Sequence, residues 1–352
     1  MRKESLEFLK EIAETPSPSG FETAVQKIIK NRMKKITEDI STDVMGNLTA
    51  ALNKGAKPRI MLAAHCDEIG FMVKFISDEG FIYFAPIGGI DVHLVPGRKV
   101  YIHNKKGKIL GVIGKKAIHL MEEEERKKIS KIEDLWIDIG VKNKKEAQKL
   151  VNIGDPITFA EGMDVLRNGL IISRGFDDKM GAYLLAETME TLKKEKISSS
   201  VYGVITVQEE VGLRGAVPST FRVAPDIGIC IEVAHATDYP GVEKKKTGEY
   251  AVGAGPVISR GANINPKLFE LLLDTAKKEK IPCQILGEPG RTGTDTNVMQ
   301  LSKEGVATAL VSVPLRYMHT PVELLSTKDL DWTSRLITAL IGRIKPGMDF
   351  NP

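Results

Sequence analysis

Histidines and carboxylates stand just beyond apolar runs at several separate places in the 352-residue sequence. His65-Cys66-Asp67-Glu68 follows RIMLAA, Gln208-Glu209-Glu210 follows VYGVITV, and Glu232 follows DIGICI, with His235 and Asp238 beyond it. Arg316-Tyr317-Met318-His319 lies past ALVSVP, and Asp177-Asp178 stands at the head of a long helical pattern. Ligands of an α/β sheet gather at the carboxyl ends of its strands, so these segments are expected to converge. Carboxylates crowded together without a cation repel one another. Two histidines and three carboxylates would suit two divalent ions, and imidazole with carboxylate matches zinc, cobalt or manganese better than magnesium or calcium. Two such ions about 3.5–4 Å apart need a carboxylate between them.

Taken singly, each feature has a plainer reading. His65 could be a satisfied core histidine, and Asp177-Asp178 a helix cap favoured by the helix dipole. Glu209-Glu210 could be solvated surface, and His319 a loop cap. Glu232 is harder to set aside, because it interrupts the apolar run ICIEVA and buried glutamates are rare unless paired or metal-bound. Other chemistries lack their signatures: there is no G-x-S-x-G elbow, P-loop or dinucleotide fingerprint. Cys66 beside His65 makes a poor nucleophile–base pair, since neighbouring strand residues point to opposite faces. Cys66, Cys230 and Cys283 form no CxxC spacing, which fits thiols in a reducing cytosol and excludes a recognisable structural zinc set.

The elements that must carry these residues alternate. Helical patterns run over 3–14 and on to about Lys35, with Ser19 as the expected N-cap of the second. Residues 47–52 and 59–65 read as strands, the second apolar throughout as a strand covered on both faces requires. From Phe71 to Phe159 the texture changes to short β runs (FMVKFI, FIYFAPI, KVYIHN, KILGVIG, LWIDIGV, PITFA), most of them separated by glycine. That spacing predicts a small all-β module. Beyond Ile172, helices over 177–196, 212–221, 266–280 and 328–344 alternate with strands over 201–207, 226–233 and 307–313. The expected fold class is therefore α/β, with a mainly parallel mixed sheet. Residues 1–70 and 161–352 are expected to form one discontinuous α/β domain that carries the candidate site, interrupted by a β insertion over 71–160.

Composition narrows the function classes. Lys+Arg number 50 against 46 Asp+Glu, a net +4 spread along the chain, and aromatics are only 6%. No basic patch with interleaved aromatics marks a nucleic-acid surface. The charged first segment has no apolar core of a signal peptide, and no run approaches the ~18 residues of a membrane span; the expected location is the cytoplasm. The run Glu122–Glu125 reads as an exposed, mobile face.

Six segments in order, HCDEIGFMV, RGFDDKMGAY, VQEEVGLRGA, IEVAHATD, GTDTNVMQLSKEGVAT and LRYMHTPVE, resemble the tetrahedral aminopeptidases, some of which carry the name endoglucanase. The resemblance covers nearly the whole chain. It implies a phosphorylase/hydrolase-like catalytic domain with an inserted β-barrel or PDZ-like dimerisation domain. It also implies dimers assembling into a hollow dodecamer that admits short peptides. His65, Asp177 and Glu232 would hold one ion, and Asp177, Glu210 and His319 the other, zinc or cobalt in each. Glu209 would be the general base toward a hydroxide held between the ions, and Asp67 would orient His65. Arg214, Thr294 and Asp295 are the candidate substrate contacts, and the wording looks closest to members that prefer leucine and other neutral N-terminal residues. The acidic loop at Glu122–Glu125 would reach a neighbouring subunit. One position departs from the pattern: where Glu232 stands, aminopeptidases of the family commonly have Asp, and clan members acting on C-terminal residues or N-acyl groups often have Glu. An N-acyl-peptide deblocking enzyme is the alternative; an endo-glucanase would need neither His65 nor His319.

Overall fold

The computed structural model describes residues 1–352. An eight-stranded mixed sheet runs in the order Ile40–Thr42, Leu48–Leu52, Ser200–Thr206, Arg59–His65, Ile227–His235, Ala307–Leu315, Val257–Gly261 and Gln284–Glu288. The four strands from Ser200–Thr206 to Ala307–Leu315 are mutually parallel, and the sheet turns antiparallel on either side of them. These central strands are almost wholly buried, which is why their sequences are apolar on both faces rather than alternating. Helix Phe176–Leu192 packs on the Arg59–His65 and Ile227–His235 strands, with helices Lys3–Glu14 and Thr327–Arg343 against it. Nearly every residue of that helix is buried, so it lacks the one-sided apolar stripe of a surface helix.

Between Gly70 and Phe159 the chain forms a closed barrel in the order Gly70–Ile76, Ile82–Ile87, Trp136–Asp138, Gly107–Gly114, Lys99–Asn104 and Pro156–Phe159. Closure removes the exposed edges that so short a sheet would otherwise present. Its separate core centres on Phe71, whose ring meets Phe84 and Phe159 edge to face at 4.9 and 5.4 Å. The parallel sheet interrupted by an antiparallel barrel agrees with the expected fold class.

The barrel leaves the sheet directly beyond His65, so whatever fixes this junction also fixes His65. A buried ionic cluster lies there. Glu68 receives the Lys179 ammonium at 2.8 Å and the Ser17 amide at 2.9 Å, with the Arg174 guanidinium 3.6 Å away. Lys179 also donates to the Thr15 carbonyl, while Arg174 donates to carbonyls of Ala13, Glu14 and Phe159. Burial lowers the Lys179 ammonium to about 8 despite the Glu68 charge beside it. Losing one partner of a buried pair strands the other charge. Lys179→Met is therefore expected to cost about 3–5 kcal/mol of stability, read from urea unfolding midpoints; a loss below about 1 kcal/mol would mean that Arg174 alone satisfies Glu68.

Some local expectations need correction. The second helix spans Thr23–Met33 with Glu22 at its N-cap, and Ser19 does not cap it. The Ser19 hydroxyl instead donates to Asp67 at 2.7 Å, since a fully buried carboxylate needs donors more than a helix end that water can reach. The helix expected from Gly212 begins at Ala216. The residues before it form a turn in which a Cβ at Gly215 would sit 2.4 Å from the Val207 carbonyl. The short outer strands Val257–Gly261 and Gln284–Glu288 were not legible in the sequence, because glycine and charge interrupt their alternation. Residues Glu123–Arg126 form one exposed helical turn.

Candidate metal centre

The parallel strands bring His65, Glu209, Glu210 and Glu232 to one end of the sheet, and the start of helix Phe176–Leu192 brings Asp177. His319 arrives on the loop after strand Ala307–Leu315. The Asp177 carboxylate stands between the two imidazoles: Oδ1 is 3.1 Å from His65 Nε2 and Oδ2 is 3.3 Å from His319 Nε2. Glu232 Oε1 lies 3.5 Å from His65 Nε2, and Glu210 Oε2 lies 3.4 Å from His319 Nε2. Glu209 sits beside the first of these groups, its Oε2 3.8 Å from His65 Nε2.

The backbone that presents Glu209 and Glu210 is anchored by carboxylates behind it. The amides of Glu209 and Glu210 donate to the two oxygens of Asp67 at 3.0 and 3.1 Å. The amide of Gln208 donates to Glu22 at 3.2 Å. Gln208 has φ +57°, so the strand's pleat breaks immediately before the glutamates and lets both project into the site. Asp67 thus does more than accompany His65. The closest contact of His65 Nδ1 is the Asp67 carbonyl at 3.1 Å, and the carboxylate is 3.4 Å away. Asp178 sits nearby, but its oxygens receive the amides of His65 at 3.2 Å and Gly181 at 3.1 Å. Although it lies close enough to His65 and Glu232 to be grouped with them as a metal ligand, those bonds make it a scaffold residue, and Asp177 is the freer carboxylate.

Charge accumulates here without matching countercharge. Burial, with Asp295, Asp177 and Asp67 adding to it, pushes Glu209 up to about 8, while His65 pulls the other way. Glu210 and Glu232 are pushed well up by burial and by neighbouring carboxylates. Burial opposes ionisation of Asp177 too, yet its bonds to His319 and His65 hold it below the usual carboxylate range. Glu210 Oε1 is buried and has no hydrogen-bond partner. Buried carboxylates so crowded, with an orphaned oxygen and two imidazoles among them, fit divalent cations.

A cavity of about 820 Å³ opens over this cluster. Asp177, Glu209, Glu210, Glu232 and His319 line one side, and Val233, Tyr239, Tyr250, Leu286 and Met318 supply apolar wall. Thr294 lines it as well; Asp295 is buried and accepts from the Thr206 hydroxyl at 2.6 Å. Arg214 is exposed and lies outside the lining. Sequence reasoning assigned no role to Glu22, Glu288 or Glu323, although Glu288 stands in the cavity wall with Arg291. A lone Glu at a helix cap or a strand end carries no pattern by itself, and only the fold shows what it faces.

Residues 46–336 match the family model described as M42 glutamyl aminopeptidase. The chain is 37% identical to a lysyl aminopeptidase of Pyrococcus furiosus over 350 residues, covering 98% of this chain and 99% of that protein. Among solved structures it resembles a TET aminopeptidase from the marine sediment archaeon Thaumarchaeota archaeon SCGC AB-539-E09, with TM-score 0.94, 35% identity and 97% of each chain covered. It also resembles the TET1 peptidase of Pyrococcus horikoshii, described as assembling into a tetrahedron or a large octahedral shell, with TM-score 0.86, 35% identity, and 97% and 100% of the two chains covered. A Thermotoga maritima structure named endoglucanase is similar at 30% identity and TM-score 0.77, with 95% and 96% covered. No helix of the chain is long and apolar enough to cross a membrane. With a family model matched over most of the chain and full-length likeness to named aminopeptidases, this protein belongs to the M42 family of metal-dependent aminopeptidases, hydrolases that act on peptide bonds.

Proposed function

We propose that the chain is a dinuclear-metal aminopeptidase that removes neutral N-terminal residues, leucine among them, from short peptides. The observation that carries this reading is the Asp177 carboxylate with one oxygen toward His65 and the other toward His319. His65, Asp177 and Glu232 would hold one ion, and Asp177, Glu210 and His319 the other. Bound there, two zinc or cobalt ions supply Lewis acidity and lower the pKa of water. Glu209 takes the proton from the attacking water and returns it to the departing amine. Asp67 and Glu22 keep Glu209 in place through the backbone on which it stands.

The apolar wall of Val233, Tyr239, Leu286 and Met318 supports a neutral first side chain. The family model is described as glutamyl and the Pyrococcus furiosus relative as lysyl, and the wall also carries Glu288 and Arg291, so a charged residue is the competing choice. By the resemblance to the tetrahedral aminopeptidases, residues 71–160 would serve dimerisation within a hollow homo-oligomer of twelve subunits in the cytoplasm, with the Glu122–Glu125 loop reaching a neighbour. Glu232 in place of the commoner Asp lengthens one ligand arm by a methylene and makes N-blocked peptides the second substrate class to try. Glycoside hydrolysis would leave His65 and His319 without a role.

The test is a panel of unblocked Leu-, Lys-, Glu- and Gly-peptides beside N-acetylated peptides and carboxymethyl-cellulose. Cleavage of the free-amine set with Leu fastest supports the proposal. Faster release of Lys or Glu would retain the aminopeptidase and reject its neutral preference. Cleavage confined to N-blocked peptides would reject the aminopeptidase reading and assign Glu232 to a deblocking enzyme.

A further inference from the structure

Glu323 belongs to none of the groups that would hold an ion, yet it touches two of the elements that supply them. It opens strand Glu323–Ser326, which pairs antiparallel with Leu170–Ser173 so that Glu323 lies opposite Ser173. Four residues beyond Ser173 stands Asp177. On the other side, the bridge between Arg316 and Leu324 closes the loop that carries His319. Two chain segments therefore meet at this one buried side chain. Its carboxylate divides between them: Oε1 receives the His319 amide at 3.0 Å and Oε2 receives the Asp177 amide at 3.1 Å.

The His319 loop needs such a hold. Tyr317 and His319 adopt φ +63° and +62°, a left-handed conformation that non-glycine residues resist. The His319 side chain is 38% exposed, so packing restrains it less than it restrains His65, which is fully buried. The loop's other holds do not reach Asp177: the Thr320 hydroxyl donates to the Tyr317 carbonyl at 2.7 Å, and Arg316 pairs with Asp238 at 2.7 and 2.6 Å. Within hydrogen-bond reach of His319 itself, Glu323 is the buried group that joins its backbone to that of Asp177.

We infer that Glu323 is a positioning residue that sets the separation of Asp177 and His319, and so the affinity of the ion site those two share with Glu210. The inference rests on the proposed two-ion reading. It bears unequally on the two sites, because Glu323 holds the backbone of two ligands of this one, Asp177 and His319, and of the other only the shared Asp177. Outer groups that orient metal ligands typically carry about 10–100-fold of metal affinity. Glu323→Gln keeps the shape but turns one acceptor into a donor, so one of the two amides loses its partner.

The experiment is a calorimetric titration of the full-length, metal-stripped protein with Co²⁺, read together with the Co²⁺ visible absorption. Wild type should take two equivalents. In Glu323→Gln one equivalent should weaken by about 10–100-fold and the other by clearly less. Leu325→Ala, on the same strand and facing the core, should lower the melting temperature while leaving both equivalents intact, which separates positioning from stability. Unchanged affinity of both equivalents in Glu323→Gln, or equal weakening of both, overturns the inference while leaving the two-ion reading in place. Fewer than two equivalents in wild type overturns the reading and the inference with it. Should Glu323→Gln fail to fold, amide hydrogen exchange in the wild-type protein decides. Protection of the His319 amide well above that of Met318 and Thr320 supports the link, and exchange at their rate refutes it.

Discussion

Glu209→Gln is expected to lower kcat on a free-amine peptide by about 10²–10⁴-fold, the usual contribution of a positioned general base, with both metal equivalents and the melting temperature retained. The substitution keeps the side chain's size and removes only its capacity to take a proton. Its neighbourhood makes the contrast clean. The Glu209 amide still donates to Asp67 and the Gln208 amide to Glu22, so the backbone that presents Glu210 does not move. Removing one carboxylate from a crowd of carboxylates relieves repulsion, so the variant should be no less stable than wild type. Steady-state kinetics beside metal analysis checks this: retention of more than a tenth of wild-type kcat would remove Glu209 from the role of base.

Asp177→Asn is expected to weaken both metal equivalents together, each by more than the roughly 10–100-fold typical of an outer-sphere partner, and to abolish turnover at ordinary metal concentrations. His319→Ala supplies the comparison, since it should weaken a single equivalent. The difference follows from Asp177 alone facing both imidazoles, at 3.1 and 3.3 Å. An amide in its place offers one neutral oxygen where two charged ones stood. Equilibrium dialysis of the two variants distinguishes the cases. If Asp177→Asn loses one equivalent and keeps the other, the carboxylate is not shared; if His319→Ala keeps two, His319 is not a ligand.

The sheet and the convergence at its end were legible in the sequence for a physical reason. Strands covered on both faces must be apolar throughout, so RIMLAAH, DIGICI and ALVSVP announce themselves, and a polar residue directly beyond such a run has few places to go. Glu232 was the clearest case, a carboxylate embedded in an apolar strand. The barrel was legible as six short runs because antiparallel strands closed on a single core are short and separated by glycine turns. The support of the site was not legible. Asp67 was expected to serve His65, whose Nδ1 its carboxylate faces at 3.4 Å, but nothing in the sequence showed that the same oxygens also hold the amides of Glu209 and Glu210. Ser19 was read as a helix cap and is a donor to that same carboxylate. Glu22 and Glu323 gave no signal, and Glu68 none beyond its place beside Asp67, since each has a partner far along the chain: Ser17 lies 51 residues from Glu68, Asp177 146 from Glu323 and Gln208 186 from Glu22. Spacing along the chain encodes helices and strands; it does not encode contacts of that range. Arg214 adjoins the glutamates in sequence, but the turn beyond Glu210 leaves it exposed and outside the cavity lining to which Gly212 and Leu213 belong.

The central claim is that two ions at the shared carboxylate make an enzyme for free N-termini. The most direct measurement is turnover of an unblocked Leu-peptide by metal-stripped protein as zinc or cobalt is restored in known equivalents, with the N-acetylated peptide run in parallel. The account predicts no activity without metal, a rise that levels off at two equivalents per chain, loss on renewed chelation, and an inert N-acetylated peptide. Full turnover in the stripped protein, a plateau at one equivalent, or equal cleavage of the blocked peptide would contradict it.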